Sequence, residues 1–421
     1  MATPGRPPLR ALLPGVALLA ALLHAGNLLH LARAHGCDLP GLACLDAVGR
    51  SATRDTPSYL SVASEIRERG LLGTSFRRRP PGYPVLLGLA RGLTGEAAAV
   101  LWLVPLLAGV AAAAIAWLAG ALAGRARAAL LAGLLFCAWP NAYQFGPLLM
   151  TDALHAFLAV TALAATLAWR ERERAAAAGL SAALWAAAQS LRPTFFALGL
   201  ILPVLLLRRG SSRRTRWIST ALWGAICLGP VVVVASNFLR SGAAGLPNTC
   251  YAIPRLKQDL GLGDFDRLRA QCWRRYERNP WRQARRDLEF LRQHKGEALA
   301  SLAGEFGTQM SFPHRPFYHR ELAPLYPAWS EMRPRSALGF WLCAAAGWVL
   351  VARRRPAFAA FLLLALALVM APSLVTTRVG ARIRFPLDLF ALPLVAVLAD
   401  ALLARAGRLS RRRSGGARAP A

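Results

Sequence analysis

Repeated apolar stretches of membrane-crossing length constrain this chain more than any other feature. Runs near 10–33, 96–123, 128–140, 148–168, 175–191, 194–207, 217–237, 337–352, 357–376 and 386–404 carry few charges. A helix needs about 20 apolar residues to cross a bilayer, and in lipid only helices and closed barrels satisfy their own backbone. The runs predict an all-α polytopic membrane protein with about ten transmembrane helices, the shorter ones tilted or broken. Composition agrees: 55% of residues are hydrophobic and the mean hydropathy is +0.37.

Charge then orients the chain. The net charge is +30, and Lys257 and Lys295 are the only lysines, so nearly all of the basic charge is arginine. A pI near 11.6 would suit nucleic acid. The arginines, however, lie between the apolar runs and read as topology, and no nucleic-acid partner is expected. With ten spans, Arg6 and Arg10, Arg125 and Arg127, Arg170 to Arg174, Arg208 to Arg216, Arg353 to Arg355 and the tail at 405–413 share one side. The positive-inside rule makes that side the cytoplasm, leaving both termini inside and the loops at 34–95 and 238–336 outside. The first span resembles a signal peptide, with Ala32-Arg33-Ala34 near its end. It reads as an uncleaved anchor, because its removal would leave an odd number of spans and spoil the charge pattern.

The domain organisation follows from these marks. Residues 1–237 form an N-terminal membrane domain with its first outer loop at 34–95. Residues 238–336 form a mostly helical extracytoplasmic domain, and 337–421 form C-terminal transmembrane helices with a basic cytoplasmic tail. Cys137, Cys227 and Cys343 fall in apolar runs, where cysteine acts as a small hydrophobe. Cys37 and Cys44 share the first outer loop, and Cys250 and Cys272 share the large one. On an oxidising side these are candidate disulfides, with free thiols as the alternative. No CxxC, DxD or His/Cys cluster suggests a metal, and no cofactor is expected.

Charge is out of place in the outer loops. Arg77, Arg78 and Arg79 precede Pro80-Pro81-Gly82-Tyr83-Pro84, Arg192 ends another span, and Arg378, Arg382 and Arg384 crowd the loop between the last two spans. An arginine held near membrane depth is costly and usually partnered, and its planar fork suits phosphate. Snorkelling to lipid headgroups is the plain alternative for each arginine taken singly. Acids are scarce enough to weigh one by one. Asp55 and Tyr59 lie one turn apart at the start of an amphipathic run from Ser58 to Arg69, Asp152 opens a span in Met150-Thr151-Asp152, and Asp388 follows Arg384-Phe385-Pro386. The plain readings are an Asx-type helix start for Asp55, a helix N-cap for Asp152 and an arginine partner for Asp388. Within 238–336, Asn279-Pro280-Trp281 starts an amphipathic run suited to a membrane surface.

Together these residues resemble a family. Asp55, Tyr59, Glu68-Arg69-Gly70 and Arg79-Pro80-Pro81-Gly82-Tyr83-Pro84 look like the first outer loop of the GT-C membrane glycosyltransferases. The branch most similar is that of the protein O-mannosyltransferases and the aminoarabinose transferases acting on lipid A. Thr151-Asp152, Leu191-Arg192-Pro193-Thr194, Asn279-Pro280-Trp281 and Arg382-x-Arg384-Phe385-Pro386-Leu387 follow in matching order over nearly the whole chain. Two positions depart from the family pattern. Arg54 and Thr56 flank Asp55 where an acidic neighbour is common, and Asp152 stands where glutamate is common.

The resemblance implies transfer of a sugar from a polyprenyl-phosphate donor to a glycan, lipid or protein acceptor. It implies a bacterial cytoplasmic (inner) membrane with the active site facing the periplasm or exterior, where membrane lipids are also partners. Asp55 and Asp152 are the expected catalytic pair, with Asp55 the general base of an inverting displacement. Tyr59, Arg78, Arg79, Tyr83, Arg192, Arg378, Arg382 and Arg384 are the expected substrate-binding set, its arginines neutralising the leaving phosphate. Asp55, Tyr59, Arg79, Asp152, Arg192 and Arg384 are expected to line one cavity under the 238–336 domain, where the arginines favour ionised Asp55. A lipid-linked sugar transporter or flippase, and a non-catalytic assembly factor, are the readings from other classes. Transporters are usually built from repeated halves, and no internal repeat is visible here.

Overall fold

The computed structural model describes residues 7–37, 44–45, 55–71, 73–74, 76, 79–172, 175–192, 250, 252–310, 320–325, 334–364 and 380–415, with residue 367 and scattered positions between 212 and 235. These residues form helices and turns, without a strand. Seven helices pack into a bundle: α1 (Pro7–Ala34), α4 (Leu103–Ala123), α5 (Ala126–Cys137), α7 (Asp152–Arg172), α8 (Ala175–Leu191), α13 (Pro334–Arg354) and α14 (Gly380–Gly415). Among the described residues, four segments are long and apolar enough to cross a membrane: Ala11–Ala34, Ala97–Ala123, Asp152–Glu171 and Phe385–Ser410. The structure is therefore that of an all-α protein with membrane-crossing helices, while the expected count of about ten is not met by these residues. The expected spans at 194–207, 217–237 and 357–376 lie wholly or partly outside them.

Small residues let the bundle close. Without a hydrophobic force between helices in lipid, close backbone approach supplies the packing. A methyl on Gly109 of α4 would come within 2.8 Å of the Ala17 carbonyl oxygen on α1, and a methyl on Gly347 of α13 would strike the Leu394 carbonyl on α14. Ala108, Ala111, Ala112, Ile115 and Ala119 bury the inner face of α4.

The apolar runs near 128–140 and 148–168 are not two clean spans. Helix α5 stops at Cys137, and Pro140 starts a short helix, α6 (Pro140–Phe145), that ends before Gly146-Pro147. Residues 146–151 are then irregular, and every one is buried. Proline removes the donor that would continue a helix, and such backbone is tolerated at membrane depth only when protein covers it. This covered segment delivers Leu149, Thr151 and Asp152 to one end of the bundle.

Two short helices sit over that end, α2 (Thr56–Arg69) and α3 (Gly82–Thr94), which pack on each other. A disulfide joins Cys37 to Cys44 just past α1, with Cα atoms 5.4 Å apart. Farther along the chain come four more helices, α9 (Ala252–Asp259), α10 (Phe265–Arg278), α11 (Pro280–Gln293) and α12 (Lys295–Met310). Cys250 and Cys272 bond across 5.7 Å between Cα atoms, and α12 packs against α14. Asn279 caps α11 by accepting from the Arg282 amide at 2.9 Å, which accounts for the Asn-Pro-Trp start.

Candidate active site

Asp55 occupies the N-cap position of α2 but does not cap it. Its carboxylate turns instead to Arg79, whose Nη2 donates to Asp55 Oδ1. The Asx-type start is thus replaced by an ion pair between the head of α2 and the residue leading into α3. Arg79 Nε also donates to Ser58 Oγ at 3.2 Å, and its guanidinium lies 4.6 Å from the centre of the Tyr59 ring. One arginine therefore holds a carboxylate, a hydroxyl and an aromatic face, a set that lysine cannot reproduce.

Tyr59 carries the arrangement inward. It is 3% exposed, and its ring meets Tyr83 edge-on, with centroids 5.2 Å apart and planes at 85°. Its hydroxyl shares a hydrogen bond with Thr151 Oγ1 at 3.3 Å, and the Thr56 hydroxyl donates to the Leu149 carbonyl at 3.2 Å. Both bonds seat α2 on the irregular stretch before α7. The next residue, Asp152, opens α7 and accepts from Arg192 Nη1 at 2.7 Å. The Asp152 side chain is fully buried and Arg192 is 23% exposed, so this pair is largely removed from water.

The helices around the pair hold it from both sides. Arg192 follows α8 directly, its amide donating to the Ala188 carbonyl at 3.0 Å. The same carbonyl is 2.9 Å from His155 Nδ1 on α7. Helix α3 reaches this point too, because Gly82 lies against Ser190, where a methyl would come within 2.6 Å of the serine carbonyl carbon. Asp55, Tyr59, Arg79, Tyr83, Asp152 and Arg192 thus belong to one connected cluster, although up to 137 positions separate them in sequence.

The remaining expected residues stand apart from this description. Arg78 and Arg378 lie outside the described residues, and of Arg382 and Arg384 only the backbone is described. That backbone belongs to the first turns of α14. Phe385 is buried with its ring centre 5.3 Å from that of Phe145 and 6.1 Å from that of Phe157. One turn on, buried Asp388 accepts from Asn141 Nδ2 on α6 at 2.7 Å. This amide partner for Asp388 went unread in the sequence because the two residues stand 247 positions apart. Three described cavities lie elsewhere: beside α2 and α3 near Arg67, at the far end of the bundle near Glu171, and between α13 and α14 near Trp348. Neither Asp55 nor Asp152 lines any of them. Among the described residues, no three His, Cys, Asp or Glu side chains gather as metal ligands.

Chemically, the cluster offers two carboxylates, each held by an arginine, with a tyrosine and a threonine hydroxyl between them. Such a set can bind an anion, exchange an arginine from carboxylate to ligand, and accept a proton. In comparison with known proteins, the chain matches no family model and no curated sequence.

Proposed function

We propose that this chain is a membrane glycosyltransferase of the GT-C type, moving a sugar from a polyprenyl-phosphate donor to an acceptor hydroxyl. One observation carries the reading: Asp55–Arg79 and Asp152–Arg192 are joined through Tyr59 and Thr151 at one end of a bundle of apolar helices. A polyprenyl chain stays in lipid, so its phosphate sits at headgroup depth, and the paired arginines supply charge at a bundle end suited to meet it. In this reading that end faces the outer side of a bacterial cytoplasmic membrane, which the arginine pattern of the sequence supports by the positive-inside rule.

The donor phosphate competes with Asp55 for Arg79. As the guanidinium shifts to the phosphate, the carboxylate is released to serve as base. The acceptor oxygen attacks the anomeric carbon and its proton passes to Asp55. The bond from that carbon to the phosphate oxygen breaks, and polyprenyl phosphate departs with the electron pair. One displacement without a covalent sugar–enzyme intermediate inverts the anomeric centre. Arg192, held by Asp152, and the arginines at the start of α14 stabilise the leaving charge.

The test is transfer of radiolabelled sugar from polyprenyl phosphate in vesicles carrying wild type or Asp55→Asn. A positioned base contributes roughly 10²–10⁴-fold, so the variant should lose at least about a hundredfold in rate while reaching the membrane in normal amount. Near-normal turnover would overturn the reading. Movement of the donor across the vesicle without transfer would identify a transporter instead.

A further inference from the structure

Helix α11 turns two unlike sides to its surroundings. One side packs inward: Gln283 is 5% exposed and donates through Nε2 to Asp287 at 2.9 Å, and the Phe290 ring centre lies 4.6 Å from Lys257 Nζ on α9. The opposite side carries Trp281, Ala284, Leu288 and Leu291, an apolar stripe at the three- and four-residue spacing of one helix face. Trp281 is 81% exposed and Leu288 is 51% exposed. We propose that this stripe docks on an anionic bilayer surface beside the bundle, with Trp281 and Leu288 seated among the lipid headgroups and Arg285 and Arg292 bound to lipid phosphates.

Charge complementarity names the occupant. Arg285 and Arg292 stand two turns apart and border the stripe along one edge. Both are exposed, and among the described residues neither makes an ion pair. The helix carries Arg282, Arg285, Arg286 and Arg292 against Asp287 and Glu289, four cations less two acids, or +2. Asp287 is turned toward Lys257 and Arg275 on the packed side, so it does not offset the edge of the stripe, and Glu289 is exposed beyond Arg285. Tryptophan and arginine together suit a lipid surface. An indole settles at headgroup level, and an arginine stem lies along hydrocarbon while its guanidinium meets phosphate. Position agrees, because His294 alone separates α11 from α12, which packs against α14, a helix with a membrane-crossing segment.

Docking rests on the apolar helices and not on the chemistry proposed at Asp55, so it is read by quenching of a label rather than by transfer. The full-length protein, with Cys137, Cys227 and Cys343 replaced by alanine, receives Trp281→Cys, Leu288→Cys, Glu289→Cys or Gln293→Cys, each carrying an environment-sensitive fluorophore. In vesicles of phosphatidylglycerol and phosphatidylcholine, a nitroxide-bearing lipid should quench the labels at 281 and 288 strongly and aqueous iodide should barely reach them, with the reverse at 289 and 293. Arg285→Gln/Arg292→Gln should weaken docking about thirtyfold, from roughly fivefold for each arginine near an anionic surface, and lose most of the lipid quenching at 288. Vesicles of phosphatidylcholine alone should produce the same loss without that change, which keeps the test open if the double variant folds poorly. Iodide quenching at 281 and 288 equal to that at 289 would overturn docking. Shielding from both quenchers would identify a protein partner, such as a second copy of this chain, and overturn the lipid surface. Equal lipid quenching in the two vesicle types would overturn the role of the arginines.

Discussion

Arg79 is the residue on which the candidate site turns. Its three contacts use the width of the guanidinium: one nitrogen for Asp55, another for Ser58, and the plane for Tyr59. A point charge cannot do this. Arg79→Lys should therefore fail to restore function, raising KM for the polyprenyl-phosphate donor about tenfold with a smaller loss in kcat, as read by vesicle transfer over a range of donor concentrations. Recovery of wild-type KM by lysine would reduce Arg79 to a counter-charge. The inner pair behaves differently because burial governs it. Asp152 is fully buried, and its removal leaves Arg192 without the carboxylate that balances it. Breaking a pair of this kind costs about 3–5 kcal/mol, whereas replacing both members with apolar residues is often neutral. Asp152→Ala should lower the melting temperature markedly, and Asp152→Ala/Arg192→Leu should recover most of it while remaining inactive. Equal destabilisation by the single and double variants would show that the pair contributes no more than its separate parts.

At the scale of elements, packing contacts that single-residue reading passes over set the site. Gly82 opens α3 with Ser190 directly against it, and a methyl there would press on the backbone of α8. Gly82→Ala should push α3 away, carry Tyr83 off Tyr59, and lower transfer more than about tenfold at a stability loss near 1–3 kcal/mol. Gly88→Ala in the same helix meets nothing within 4 Å and should be silent in the transfer assay. The helices themselves were legible in sequence, because runs such as 10–33 and 386–404 have no alternative state in lipid. The acid and arginine sets were legible as types, since charge beside apolar spans stands out. What could not be read is who holds whom, because Asn141 with Asp388 and Tyr59 with Thr151 are made across 247 and 92 positions. The break at Trp139-Pro140 was visible as a proline, yet its consequence, a buried irregular segment carrying Thr151, depends on neighbours that cover it. Helix α11 adds a titration. Burial raises the pKa of Asp287 above its ordinary value, although Gln283, Lys257 and Arg275 oppose the shift. A carboxyl with a raised folded pKa stabilises the fold below its unfolded pKa and loses that contribution as pH rises through the folded value. Asp287→Asn should thus gain stability relative to wild type at pH 7, and the difference should shrink toward pH 4 in paired melting curves. A difference that is constant with pH would remove the titration from account.

Across the whole molecule, charge helps to fasten the end of the bundle remote from Asp55. Asp400 on α14 is 2% exposed and accepts from Arg125 Nη1 at 3.1 Å and from Arg127 Nε at 2.6 Å, while Arg127 Nη2 donates to its carbonyl at 3.0 Å. Arginines that read as topology markers therefore also fasten the last helix to the α4–α5 turn, about 275 residues away in sequence. The two sides of this contact are unequally exposed, with side-chain exposures of 48% and 45% for the arginines against 3% for the aspartate. Removing Asp400 returns two half-exposed cations to water, which hydrates them at little cost. Removing both arginines strands a buried carboxylate, and an uncompensated charge in such a place costs about 3–5 kcal/mol. Arg125→Ala/Arg127→Ala should accordingly melt well below Asp400→Asn in the same detergent. Adding Asp400→Asn to the arginine variant should raise its melting temperature again. Because one helix, α14, carries Arg382 and Arg384 near its start and Asp400 farther on, loosening this end should also slow transfer in the arginine variant. If Asp400→Asn proves the more damaging change, the carboxylate is held by the surrounding helices rather than by the arginines, and the last helix is fastened by packing alone.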